Sequence, residues 1–123
     1  RRNYIFGFDE DGVHFHGGAD KFANWCKVYD NDIGHCENAG ILKASSCVSE
    51  GLMIHDNRIH QFAREGEYGI YIDGSYANIS GNKIMMASGK DAIYPNNGTA
   101  GVVSCGNWTT VRSEFAWEPA EPA

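Results

Sequence analysis

The sequence predicts an all-β chain, folded as a right-handed parallel β-helix of about four to five coils with three short strands in each. Three observations lead there. An Asn recurs between two aliphatic residues, a Gly or Ala followed by Val or Ile recurs between those Asn residues, and no apolar stripe has a helical period. The Asn positions divide the chain into units of 28, 26, 25 and 25 residues, which suits one coil per unit.

The recurring Asn predicts a bend within each coil. It stands at Asn3, Asn31, Asn57, Asn82 and Asn107. In three copies an aliphatic residue lies three positions before the Asn and an Ile two positions after it, as in Ile54-Asn57-Ile59. We expect these aliphatic residues to stack inward. The pairs Asp30-Asn31, Asp56-Asn57 and Gly81-Asn82 should form two-residue bends, with the Asn in the left-handed conformation that it tolerates well. Stacked Asn side chains can then hydrogen-bond from coil to coil as a ladder.

A second landmark sets the phase of another strand. It reads Gly12-Val13, Gly40-Ile41, Gly69-Ile70 and Ala92-Ile93. The Val or Ile is expected inside. Because side chains alternate between the two faces of a strand, the residue after each Val or Ile should point outward, and so should the residue two positions beyond that one. The outward residues are His14, Leu42, Tyr71 and Tyr94 in one row and His16, Ala44, Asp73 and Asn96 in the other. We attribute the abundance of Gly to tight turns.

The coils are predicted to occupy residues 1–112, and residues 113–123 are expected to form a partly disordered tail in which Phe115 and Trp117 act as a partial lid. A β-helix without a capping element exposes strand edges and core. The chain is therefore expected to be a fragment of a longer solenoid, or a subunit whose ends are covered by further β-helix coils or by a homo-oligomer.

Charge and hydropathy exclude some partners. The net charge of −6 argues against nucleic acid and against anionic membranes, because both favour clustered Lys and Arg. No apolar run approaches the roughly 20 residues that span a bilayer. The four cysteines lack C-x-x-C spacing and are expected to be thiols; Cys36 and Cys47 flank one strand on opposite sides, too far apart for a bridge.

The pattern "apolar-x-Asp/Gly-Asn-x-Ile … Gly-Ile-x-Ile", over roughly residues 3–108, resembles the repeats of pectate-lyase-like right-handed β-helix proteins. That superfamily includes polysaccharide lyases, glycoside hydrolases, sugar epimerases, phage tailspikes and adhesins, so the resemblance specifies a fold more than an activity. It implies a groove for an elongated sugar on the outer face defined above. The expected partner is accordingly a polysaccharide or oligosaccharide, and the expected location is secreted, cell-surface or periplasmic.

Hydrolysis of a glycosidic bond requires two carboxyl groups. Asp73 is the first candidate, with Glu67 or Glu37 as the second, about 5 to 10 Å away across the groove. Exposed aromatic rings can lie against sugar rings. The predicted substrate-binding residues are His14, His16, Tyr71, Tyr94, Asn96 and Arg64. A glycoside hydrolase or transglycosidase is favoured over a lyase because few cations are available to bind an acidic polymer.

A polysaccharide lyase remains an alternative, and it would use Lys43, Arg64 and His16. Strict alternation places Lys43 inside, unless its stem snorkels or the strand has ended there. Two non-enzymatic alternatives also stay open: a glycan-binding module or adhesin, and a structural shaft. No cofactor is expected. The alternative is Ca²⁺ or another divalent cation, held by Asp9, Glu10 and Asp11 or between His14 and His16.

Overall fold

The computed structural model describes residues 2–6, 10–16, 25–44, 51–61, 67–73, 77–87, 89–96, 102–112 and 117–119. These contain fourteen strands and no helix. The strands are β1 (Tyr4–Phe6), β2 (Val13–Phe15), β3 (Lys27–Tyr29), β4 (Asp32–Gly34), β5 (Ala39–Lys43), β6 (Leu52–His55), β7 (Arg58–Gln61), β8 (Tyr68–Asp73), β9 (Ala77–Ser80), β10 (Lys83–Ala87), β11 (Asp91–Asn96), β12 (Val102–Cys105), β13 (Trp108–Arg112) and β14 (Trp117–Pro119). No described helix is long and apolar enough to cross a membrane.

The strands form three sheets in which each coil contributes one strand to each sheet. The first sheet has the order β1-β4-β7-β10-β13-β14, the second β2-β5-β8-β11 and the third β3-β6-β9-β12. Every pairing between coils is parallel. The predicted parallel β-helix with three strands per coil is confirmed: four coils begin at Asn3, Asn31, Asn57 and Asn82, and β13 opens a fifth.

The core consists of aliphatic columns, one along the inner face of each sheet. The predicted inward residues Ile33, Ile59 and Ile84 are in register in the first sheet, and Ile54 pairs with Ile79 in the third. All five are fully buried. In the second sheet Ile41 and Ile70 are equally buried, whereas Val13 and Ile93 are only partly covered. The difference arises because Val13 and Ile93 lie on the two outermost strands of that sheet.

The predicted Asn ladder is present. Within the described residues it runs through all five repeating Asn residues, and the Oδ1 atoms of the last four each accept hydrogen bonds from the backbone N and the Nδ2 of the Asn one coil earlier. The donor–acceptor distances are 2.9 to 3.1 Å. The Nδ2 groups of Asn57, Asn82 and Asn107 also donate to Val28 O, Ile54 O and Ile79 O. Four of the five Asn side chains are buried, so the ladder satisfies polar groups that water cannot reach.

The prediction that the Asn itself is left-handed is wrong. The residue before it adopts that conformation, with φ of 56° at Asp30, 55° at Asp56 and 65° at Gly81. This arrangement directs the Asn side chain into the ladder, while the short Asp or Gly tolerates the positive φ. The two-residue bend lies where it was predicted, between the third and first sheets. Its left-handed residue is the Asp or Gly and not the Asn that follows.

The glycines of the second landmark are required by close packing, and the attribution to tight turns does not hold for them. A Cβ on Gly40 would lie 2.8 Å from Gly69 O and 2.9 Å from Ile59 Cγ2. Gly12 and Gly69 are in the same situation, since their Cβ atoms would meet the carbonyl oxygen of the next coil at 2.7 and 2.5 Å. The missing side chains let the second sheet approach the Ile column of the first sheet.

The C-terminal part of the first sheet bears on the predicted tail. Strand β14 pairs antiparallel with β13, with Trp117 opposite Arg112, so part of the predicted tail continues the first sheet. Phe115 lies outside the described residues.

Cys26, Cys36 and Cys105 carry thiols and not disulfides, as expected. Cys47 lies outside the described residues as well.

Candidate functional site

The outer face of the second sheet carries an aromatic cluster. Strand pairing places His14, Leu42, Tyr71 and Tyr94 side by side, as predicted. The Tyr71 and Tyr94 rings stack with centroids 5.5 Å apart and an interplanar angle of 17°. The predicted register of the two tyrosines is confirmed, and it brings their rings into direct contact.

A third tyrosine, which sequence reasoning missed, completes the cluster. The Tyr68 ring contacts Tyr71 at 4.8 Å and Tyr94 at 5.3 Å between centroids. Simple alternation from Ile70 would direct Tyr68 inward. Gly69 breaks this alternation, because the inward-facing Ile84 and the Ala92 carbonyl occupy the space of its missing side chain. The Gly before Val13, Ile41 and Ile70 was the available signal. We call Tyr68, Tyr71 and Tyr94 the tyrosine patch.

The three rings are not equally available to a ligand. Tyr71 is partly buried on β8, an interior strand of the second sheet, and the Tyr68 and Tyr94 rings lie against its own ring. Tyr94 is 36% exposed and stands on β11, the last strand of the second sheet among the described residues. Its ring is therefore the part of the patch best placed for stacking against a flat apolar ligand surface.

Polar groups surround the Tyr71 hydroxyl. Asp73 and Asn96, which were predicted to share the outer row, are paired in register beside it. Burial, and then the nearby charge of Asp73, raises the pKa of Tyr71 above its ordinary value of 10.0, with smaller effects from Tyr68 and Tyr94; a hydrogen bond with the Asn96 side chain acts in the opposite direction. Tyr71 is therefore a neutral phenol near pH 7, able to donate a hydrogen bond but not to act as a base.

Lys43 lies beneath the strand end that carries Asp73. Its side chain is buried in the column between Phe15 and Ile72, and its Nζ donates to the Asp73 backbone oxygen at 3.2 Å. Strand β5 ends at Lys43. The inward position follows strict alternation, as predicted, and the amine reaches the strand end instead of the outer groove. Lys43 thus anchors the backbone of Asp73, and a lyase role for it on the outer face is not supported.

The predicted carboxylate pair is not brought together. Glu67 precedes β8 and Asp73 ends it, so six residues, about 20 Å of extended chain, separate them. Glu37 lies at the same end as Glu67, because Ala39 pairs with Tyr68. The Glu67 carboxylate instead accepts an ion-paired hydrogen bond from Lys90 at 2.8 Å. Both glutamates lie at the N-terminal ends of the strands in this sheet, whereas Asp73 lies at the C-terminal end.

The predicted binding residues His14 and His16 lie apart from the tyrosine patch. Leu42 separates His14 from Tyr71, which places the two about 10 Å apart. His14 Nδ1 contacts Asp11 Oδ2 at 3.0 Å, and the two imidazole rings lie 5.6 Å apart, edge to face. The other Asp11 oxygen accepts hydrogen bonds from the Asn38 side chain and Ala39 N. Asp11 therefore links the first coil to the second.

Neither predicted cation site gains support. Across the described ranges, no group of three or more His, Cys, Asp and Glu side chains is arranged to hold a metal ion. Asp9 lies outside these ranges, as does the predicted substrate-binding residue Arg64. The residues that the structure does unite are thus the tyrosine patch, Asp73 and Asn96.

Comparison with known proteins found no matching family model, no matching curated protein and no matching solved structure.

Proposed function

We propose that this β-helix is a carbohydrate-active protein that holds a glycan against the tyrosine patch. The observation that carries the proposal is the cluster of three tyrosine rings in mutual contact next to Asp73 and Asn96. It offers one exposed ring face together with hydroxyl, carboxylate and amide groups. Sugars present apolar C–H faces and equatorial hydroxyl groups, which that combination suits. The resemblance of the repeat to pectate-lyase-like β-helices points to the same class of ligand.

Each residue has a distinct role in this proposal. The Tyr94 ring stacks against a sugar ring. The Tyr71 hydroxyl, which is protonated at neutral pH, donates a hydrogen bond. Asp73 and Asn96, adjacent in register, accept from and donate to sugar hydroxyl groups. A neutral glycan is favoured at this site, because the Asp73 carboxylate would repel a uronate or a sulfate ester.

Cleavage of a glycosidic bond is the second candidate function. Asp73 favours it, since this carboxylate ends the outer row beside a stacking aromatic. Retaining and inverting hydrolases both need a second carboxyl group about 5 to 10 Å away. Glu67 and Glu37 do not meet that requirement, and we therefore place binding ahead of hydrolysis.

A panel of neutral and acidic polysaccharides, used in affinity electrophoresis and in a reducing-sugar release assay, tests both functions. If the patch binds glycan, Tyr94→Ala should weaken retention by about tenfold or more, and Tyr71→Phe should weaken it less. Tyr4→Ala removes an exposed tyrosine from the first sheet and is the matched control. Sugar release that disappears in Asp73→Asn would establish cleavage. If wild type shows neither retention nor release, the proposal fails and the structural-shaft alternative is favoured.

A further inference from the structure

The first sheet presents a second row of chemically distinctive side chains on its outer face. Strand pairing places Tyr4, Asp32, Arg58, Lys83 and Trp108 in register. Neighbouring rungs are about 4.8 Å apart, so two cations and an indole follow one another directly. Sequence reasoning did not single out this row, and it lies on a different sheet from the tyrosine patch.

Positive charge accumulates at the centre of the row. Arg58 and Lys83 lie opposite each other on adjacent parallel strands, an arrangement of like charges that destabilises a sheet. The nearest carboxylate, Asp32, is 3.9 Å from Arg58 Nη1, and its other oxygen contacts His60 Nε2 at 2.7 Å. Within the described residues Lys83 makes no ion pair. Asp32 thus contacts Arg58 and His60 but not Lys83, on a chain whose net charge is −6.

An exposed indole adjoins these cations. Trp108 pairs in register with Lys83, and 57% of its surface is accessible to solvent. Together with Arg58, Ile84 and Met85, the two residues line an open cavity of about 170 Å³. This volume is well below the roughly 300 to 1,000 Å³ of pockets for drug-sized ligands, so it suits a single ring. Cation–π attraction between Lys83 and Trp108 can stabilise the pair, but it does not require so much exposed indole.

We propose that Arg58, Lys83 and Trp108 form a binding site for an anionic saccharide that carries carboxylate or sulfate groups. The sugar ring stacks on the Trp108 indole, and its acidic group accepts hydrogen bonds from Lys83 Nζ and the Arg58 guanidinium. Such a ligand relieves the repulsion between the two cations. Two cations on a strongly acidic chain are too few for nucleic acid, and a flat aromatic next to them favours a sugar over an acidic peptide. The site does not depend on the function proposed for the tyrosine patch.

Binding of fluorescent dextran sulfate, oligogalacturonate and unsulfated dextran, measured by thermophoresis at about 0.05 M and about 0.3 M salt, tests the proposal. The acidic saccharides should bind and unsulfated dextran should not. Arg58→Gln and Lys83→Gln should each weaken binding by about tenfold or more, and Trp108→Ala should weaken it as well. Binding should decline at the higher salt concentration.

Matched variants make the result specific. Lys27→Gln removes the same charge from the exposed face of the third sheet and should leave binding unchanged. Tyr94→Ala should also leave it unchanged, which separates this site from the tyrosine patch. The proposal is overturned if Lys27→Gln weakens binding as much as Lys83→Gln, since the attraction would then be non-specific. It is also overturned if polyglutamate binds as well as dextran sulfate while Trp108→Ala has no effect, or if no acidic saccharide binds. Circular dichroism of each variant confirms that the fold is retained.

Discussion

The Oδ1 atom of Asn57 accepts two hydrogen bonds from Asn31, one from its backbone N and one from its Nδ2, each at 3.1 Å. Asn57 Nδ2 donates in turn to Asn82 Oδ1 and to Val28 O. A single buried amide therefore hydrogen-bonds to groups in three other coils. Because Asn31 is itself buried, its donors have no access to water if the acceptor is removed.

Asn57→Ala should accordingly lower the free energy of unfolding by about 2 to 4 kcal/mol, because it leaves buried donors and an acceptor unsatisfied. Asn57→Gly should be no better, since Asn57 is not the left-handed residue of the bend. Urea denaturation monitored by circular dichroism measures both. Asn78→Ala, on the exposed face of the third sheet, is the control and should change stability by less than about 0.5 kcal/mol. Equal effects of Asn57→Ala and Asn78→Ala would contradict the energetic role of the ladder.

Asp56 has a φ of 55°, and the equivalent residue of the next coil is Gly81, with a φ of 65°. Asp56→Gly should therefore be tolerated, and Asp56→Ala should be less stable than Asp56→Gly by about 1 kcal/mol, the cost of a left-handed Cβ. Both variants lose the exposed contact with His55 Nδ1, so their difference isolates the backbone term. Chemical denaturation of the two proteins side by side decides the point; an Ala variant as stable as the Gly variant would rule out strain at this position.

Gly40→Ala should destabilise the fold by about 1 to 3 kcal/mol, because the new Cβ requires movement of the Gly69 backbone or of Ile59. Ala92 occupies the corresponding landmark position in the fourth coil and provides the reverse substitution. Ala92→Gly should cost about 1 kcal/mol or less, the usual effect of Gly in a strand. Thermal unfolding of both variants measures the contrast. Similar losses for the two substitutions would show that close packing at Gly40 is not limiting.

The raised pKa of Tyr71 predicts a loss of stability at alkaline pH. Above the ordinary value of 10.0 the unfolded chain releases the Tyr71 proton while the folded chain retains it, so stability falls as pH rises from there through the raised folded pKa. Tyr71→Phe removes this proton. The difference in unfolding free energy between wild type and Tyr71→Phe should be constant from about pH 8 to about pH 9.5, and should then shift in favour of the variant. Tyr29→Phe controls for removal of a hydroxyl group in general. A difference that stays constant to about pH 11.5 would refute the linkage.

Repetition is what made the fold predictable from the sequence. The Asn columns and the Gly-Ile columns define the length of a coil, the strand register and the inward phase, and pairings such as Ile41 with Ile70 follow directly. The left-handed residue could not be identified in the same way. Asp and Asn both tolerate positive φ, and the choice between Asp56 and Asn57 depends on which side chain reaches the ladder.

The site was less predictable because it depends on contacts between coils. Tyr68 required recognition that Gly69 interrupts strand alternation, which is a packing effect of Ile84 from a different sheet. Glu67 and Lys90 form an ion pair between successive coils. The alternation of inward and outward side chains along the strands does not predict that these two residues meet. The distance between Glu67 and Asp73, by contrast, was available from the sequence: six residues of one strand cannot bring its two ends together.

The Cβ of Ala92 has a consequence for self-association. In the first three coils, Gly12, Gly40 and Gly69 leave room for a carbonyl oxygen of the following coil. That oxygen would lie 2.5 to 2.8 Å from a Cβ at the glycine position. A strand added to β11 with the same geometry would bring its carbonyl into collision with the methyl group of Ala92. One methyl group thus obstructs the pairing of another chain with β11, the last strand of the second sheet among the described residues. Pro95 in the same strand, which has no backbone N–H, acts in the same direction. Stacking of a second copy with its β2 next to β11 is accordingly hindered, because the Gly12 carbonyl of that copy would meet the Ala92 methyl group.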